Sequence, residues 1–150
     1  MFWCYIIGFS PNSSISEPLR DLEIAAKAAF ARMPDVRIVP SIAGVCGAGE
    51  AVTQIAAYCT TSNEILVQGG QLVGVATYGV AHAFGHAVQV RHGVADIALR
   101  EIRARRSEER VLRGYVDRQV DCIAVFLMNA AGLALTLTDV FDDDLLDDVH

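Results

Sequence analysis

The chain is 150 residues long, with 12 basic and 18 acidic side chains and a formal net charge of −6. Six of the acids are aspartates between Asp139 and Asp148, so residues 1–138 hold 12 acids against 12 bases and lack the basic excess that general nucleic-acid binding needs. A hydrophobic content of 53% with only 20% charged residues excludes disorder of the chain as a whole.

At this length a single domain is expected over residues 1–138, with 139–150 as an acidic C-terminal tail that is solvated and frayed. Residues 2–9 are apolar and read as a first strand. They have no basic residues ahead of them and no A-x-A-like site, so they make a poor signal peptide; the remainder of an anchor is the other reading. Pro11 to Ser14 predicts a turn. Ser16 is placed to cap a helix with Pro18 in its first turn. Leu19, Leu22, Ala26, Ala29, Phe30 and Met33 then repeat at helical spacing until Pro34. Val36 to Val39 predicts a short strand ended by Pro40. Residues 41–63, rich in Gly, Ser and Thr, read as loop and contain Cys46 and Cys59. Glu64 to Gln68 predicts a second strand, Gly69-Gly70 a turn, and Leu72 to His92 a long helix stopped at Gly93.

Residues 91–118 hold eight of the 12 bases, interleaved with Glu101, Glu108 and Glu109. That pattern predicts a solvated helix–loop–helix face with i,i+4 pairs in preference to a phosphate-binding patch. A further helix is expected from near Ser107 to about Leu135. Two stretches, 65–90 and 122–138, contain no Asp, Glu, Lys or Arg. The second has only 17 residues, at the lower edge of the roughly 17–25 that span a bilayer, and both are read as buried core helices instead of membrane spans.

The first uncharged stretch contains His82-Ala83-Phe84-Gly85-His86. Histidines at i and i+4 lie one above the other on a helix and can present two imidazoles to one tetrahedral zinc ion. Gln89 shares their face. Burying two imidazoles in an apolar helix is costly unless each has a partner, and one metal would serve both. In H-E-x-x-H zinc proteases the Glu is the general base; alanine at position 83 cannot accept a proton. Downstream, Asp117 and Asp121 stand at i and i+4 on the next long helix. Asp117 is assigned as a third ligand and Asp121 as the carboxylate that orients a ligand imidazole. Taken alone, the two aspartates are more simply a solvated face or ion pairs to Arg113 or Arg118.

Three segments in order resemble the bacterial neutral zinc metallopeptidase family, a group with a thermolysin-like helix pair. The first is Cys46-Gly47 with Tyr58-Cys59-Thr60-Thr61-Ser62-Asn63-Glu64-Ile65, where the family has a cysteine pair before a short strand. The second is Ala81 to Gln89, similar to the family's A-H-E-x-G-H-x-V-Q. The third is Asp117 to Ala124, similar to its E-L-Q-A-D-C-x-A. Together they cover about residues 44–130. The resemblance implies zinc bound by His82, His86 and Asp117, proteolysis as the ancestral chemistry, and a Cys46–Cys59 disulfide in an exported or cell-envelope location. Cys4 and Cys122, in apolar segments, are left as buried thiols or a second bond.

Two departures matter. Asp117 is one methylene shorter than the family's glutamate, and Ala83 replaces the catalytic one, whose assistance is typically worth about 10²–10⁴-fold. His92 is too far along the helix to substitute. The expected fold is therefore α+β, a short sheet beside two long core helices that form a zincin-like pair. The expected function is a zinc-binding pseudopeptidase that recognises a polypeptide or protein partner. One alternative is a zinc endopeptidase inactivated by substitution at position 83. The other is a metal-free structural or interaction domain whose histidines are core residues.

Overall fold

A computed structural model describes residues 13–46 and 55–133. The expected first strand, Cys4 and the acidic tail lie outside the described residues. The elements run in the order α1 (Ser13–Ala29), β1 (Asp35–Val39), β2 (Ala56–Cys59), β3 (Glu64–Gln68), α2 (Val73–Arg91), α3 (Val94–Ala104), a short 3-10 turn at Arg106–Glu108, and α4 (Glu109–Ala130). The fold is α+β, a small sheet beside helices, as the sequence predicts.

Helix α1 begins at Ser13 instead of being capped by Ser16, so Pro18 falls inside it, where its missing N–H cannot reach the Ser14 carbonyl. Leu19, Leu22 and Ala26 form its buried stripe. The sheet order is β1-β3-β2. Strand β3 runs parallel to β1, with Val36 opposite Ile65, and antiparallel to β2, with Tyr58 opposite Ile65. Ile65, Leu66 and Val67 are all buried, as a middle strand covered on both faces requires. Ile65 and Val67 enter the main core against the helices, while Leu66 points the other way, onto Val39, Ile42 and Cys59.

Loop residues 40–46 cover this second face, and a Cys46–Cys59 disulfide ties the loop to β2. Closing a loop of this length typically stabilises a fold by about 3 kcal/mol. Strand β2 itself lies inside the segment expected to be loop. Its Ala56-Ala57 pair has little strand propensity, and pairing with β3 overrides that.

Helix α2 is the centre of the fold and packs against α1, β2, β3, α3 and α4. Ten of its residues are buried, from Ala76 to Gln89, which accounts for the uncharged sequence. Its closest approach is to α4: a Cβ on Gly85 would lie 2.8 Å from Val120 Cγ1 and 2.9 Å from the Val120 carbonyl oxygen. Glycine is required here because backbone, not a flexible side chain, occupies the space. Gly85→Ala is expected to lower stability by about 1–3 kcal/mol through overpacking, despite a helix-propensity gain of up to about 1 kcal/mol. Urea denaturation checks this, and an unchanged or raised midpoint would refute the close packing.

Helix α4 stops at Ala130, earlier than the expected Leu135. Gly132 adopts φ 71°, its N–H reaches the Asn129 carbonyl, and Leu133 N–H reaches that of Met128, a Schellman closure. The part of α4 beyond Asp121 is also not buried all round, as had been expected of the second uncharged stretch. Ala124, Leu127 and Met128 face the core, whereas Phe126 is 51% exposed. Cys122 is a free, exposed thiol instead of a buried one, because it falls outside that stripe. The basic segment forms the expected solvated face, with i,i+4 pairs Glu101–Arg105 and Glu109–Arg113. Among the described residues no helix is long and apolar enough to cross a membrane.

Candidate metal centre

The close approach at Gly85 sets the site, because Val120 is flanked on α4 by Asp117 and Asp121 and Gly85 is flanked on α2 by His82 and His86. Buried Gln89 reinforces the contact: its Nε2 donates to the Val116 carbonyl and to Gln119 Oε1, both at 3.0 Å. Arg113 pairs with Glu109 at 2.8 Å and Arg118 bonds the Gly114 carbonyl at 3.2 Å, so neither forms the anticipated ion pair with Asp117 or Asp121.

His82 Nε2 and His86 Nε2 face one another at 3.2 Å, with ring planes at 73°. Two nitrogens each roughly 2.0–2.1 Å from one tetrahedral zinc ion would lie about 3.3–3.4 Å apart, so the spacing fits a shared ion with little adjustment. The same distance suits a neutral hydrogen bond from the Nε2–H of one ring to the Nε2 lone pair of the other, its direction set by the tautomers. Burial, and then the charge of His82, hold the His86 imidazole below its usual pKa, against the opposing pull of Gln89, Asp117 and Asp121. That environment disfavours the charged imidazolium and keeps the ring neutral, as a metal ligand must be.

Asp121 Oδ1 lies 3.4 Å from His82 Nδ1 and accepts a hydrogen bond from the Tyr78 hydroxyl at 3.0 Å. The bond with His82, opposed by partial burial and aided by Tyr78, holds the Asp121 carboxyl below the usual carboxylate range. An ionised carboxylate at Nδ1 selects the tautomer with its proton there and directs the Nε2 lone pair toward His86. Asp121, expected to orient a ligand imidazole, thus lies against His82 Nδ1. Burial, and then the Asp121 charge, push the Tyr78 hydroxyl up to about 12, so it stays a donor at neutral pH.

Asp117 is exposed on α4. It lines, with His86, Gln89, Ile102 and Arg113, a cavity of about 300 Å³ between α2, α3 and α4. It is not gathered in with the histidines: among the described residues no group of three or more His, Cys, Asp and Glu is arranged to hold a metal ion. Two nitrogens and an orienting carboxylate are thus brought together, with the proposed third ligand nearby.

On the opposite side of the histidines is a cleft of about 430 Å³, with His82, Ala83 and His86 on one wall and Val45, Ala57 and Tyr58 on the other. Arg91, which the sequence did not mark, fixes that second wall. It donates to Tyr58 Oη at 2.7 Å, to Asn63 Oδ1 at 3.0 Å and to the Thr60 carbonyl at 2.8 Å. His92 packs away from the site against Phe30. A larger depression of about 600 Å³ between α1 and the end of α4 is lined mostly by alanines and holds no comparable chemistry.

The depressed pKa values set the acid side of stability. His86 and Asp121 bind fewer protons folded than unfolded, so stability is full above about pH 6.5 and falls as pH drops, first through His86 and later through Asp121. With a chelator present, the urea midpoint should be lower at pH 5.5 than at 7.5, and His86→Gln should flatten the difference. Equal midpoints in the parent would contradict the burial of a neutral imidazole.

No family model, curated protein or solved structure matches the chain.

Proposed function

We propose that the protein is a degenerate zinc metallopeptidase-like domain, which binds zinc through His82, His86 and Asp117 and holds a polypeptide segment without hydrolysing it. The observation that supports this most is the 3.2 Å separation of two facing imidazole nitrogens, one on a histidine whose protonation is disfavoured. Bound zinc would supply Lewis-acid stabilisation of developing negative charge. Asp121 holds the His82 proton on Nδ1 and keeps Nε2 free to coordinate. Ala83, on the cleft wall, offers no proton acceptor, so position 83 cannot supply the general base that hydrolysis needs. Among the described residues β2 is the outer strand beside this cleft, and an extended polypeptide can pair with such an edge. The disulfide suits an oxidising, exported or cell-envelope setting.

An endopeptidase disarmed at position 83 would share every other feature. A metal-free interaction domain is favoured by one observation, that no three-ligand cluster is found among the described residues. Competition with a chromophoric zinc chelator tests the ligand set. Asp117→Ala should weaken zinc binding at least about 100-fold, beyond the 10–100-fold typical of outer-shell changes. Asp117→Glu, restoring the missing methylene, should tighten it. Equal affinity for parent and Asp117→Ala would remove Asp117 from the set, and no binding by the parent would leave the metal-free domain.

A further inference from the structure

We propose that Tyr78 is a positioning residue for the histidine pair, acting through Asp121 to fix the orientation and tautomer of His82. Tyr78, His82 and His86 stand at i, i+4 and i+8 on α2, so they share one helical face. The Tyr78 hydroxyl donates to Asp121 Oδ1 at 3.0 Å, and that same oxygen lies 3.4 Å from His82 Nδ1. The Tyr78 and His82 rings are neighbours, with centroids 6.2 Å apart. Asp121 is only half-buried, its side chain 34% exposed, and the hydrogen bond from Tyr78 opposes its rotation toward solvent.

A purely structural tie between α2 and α4 would be the simpler role. That contact is already fixed by the Gly85–Val120 approach and by the two bonds from Gln89. What Tyr78 adds is control of the one carboxylate oxygen that faces the imidazole. The consequence for metal binding rests on the zinc function proposed above; the control of His82 does not, because the Tyr78–Asp121 hydrogen bond and the 3.4 Å approach of Asp121 to His82 need no metal.

The test is a double-mutant cycle on the full chain, using Tyr78→Phe, Asp121→Asn and the pair, with two readouts. In metal-free protein, nitrogen-15 NMR of the His82 ring should show the Nδ1–H tautomer in the parent and a shift toward Nε2–H in Tyr78→Phe. Phenylalanine keeps the ring and its packing, and a thermal melt verifies the fold. With zinc added, Tyr78→Phe should weaken binding about 3–10-fold, the worth of one hydrogen bond. Its effect on both readouts should vanish in the Asp121→Asn background, since coupling through a shared partner is non-additive. An unchanged tautomer in Tyr78→Phe overturns the proposal, as does an equal effect in both backgrounds. If the parent binds no zinc, the function proposed above fails, and the tautomer comparison still decides the role of Tyr78.

Discussion

Ala83→Glu is expected to raise hydrolysis of an unstructured protein substrate by about 10²–10⁴-fold over the parent, the usual worth of a general base. Three features would serve such chemistry: a histidine pair 3.2 Å apart, a carboxylate 3.4 Å from His82 Nδ1, and a cleft beside them. Position 83 follows His82 directly on α2 and lines the cleft, although the alanine side chain is 3% exposed. Ala83 also belongs to the main apolar core, so a longer acidic side chain would have to reach past that packing into the cleft. Partial desolvation there would raise its pKa toward neutrality, as suits a proton acceptor. The assay compares zinc-loaded Ala83→Glu with the parent and with Ala83→Glu combined with His82→Ala. Cleavage only in the single variant is the predicted outcome. A folded, zinc-loaded Ala83→Glu protein that cleaves nothing would show that the proteolytic geometry is absent, and the endopeptidase alternative would go with it.

His82→Ala and His86→Ala should each abolish stoichiometric zinc binding. Either change leaves a single imidazole and removes the paired geometry that fits a tetrahedral ion. His82→Ala is the cleaner of the two, because the His82 side chain is 39% exposed and its loss leaves no large cavity. Its melting temperature without metal should stay close to that of the parent. His86→Ala removes a more buried ring and is expected to cost some stability as well. Dialysis against excess zinc followed by elemental analysis checks both, and retention of a full equivalent by either variant would place the metal elsewhere.

Much of this architecture was legible in the sequence because it depends on local rules. The i,i+4 histidine spacing, the strands Asp35–Val39 and Glu64–Gln68, and both ends of α2 to within a residue follow from periodicity and from Gly and Pro signals. The missed parts depend on tertiary partners. Ala56-Ala57 becomes strand only because β3 offers an edge. Gly132 ends α4 inside a run that is apolar by composition, and the same run buries one stripe instead of its whole surface. Gly85 matches a glycine of the resembled pattern, but the reason for it shows only once Val120 is known to lie against it. Tyr78 and Asp121 are 43 residues apart, and only the α2–α4 packing shows that they share one oxygen with His82. The placement of Asp117 was the least legible, since a one-methylene difference in reach is decided by backbone separation.

The central claim is that the paired histidines are a zinc site. Elemental analysis of protein purified without chelator tests it most directly. About one equivalent of zinc per chain is predicted, as one tetrahedral site requires. Less than about a tenth of an equivalent, unchanged after incubation with zinc at neutral pH, would contradict it.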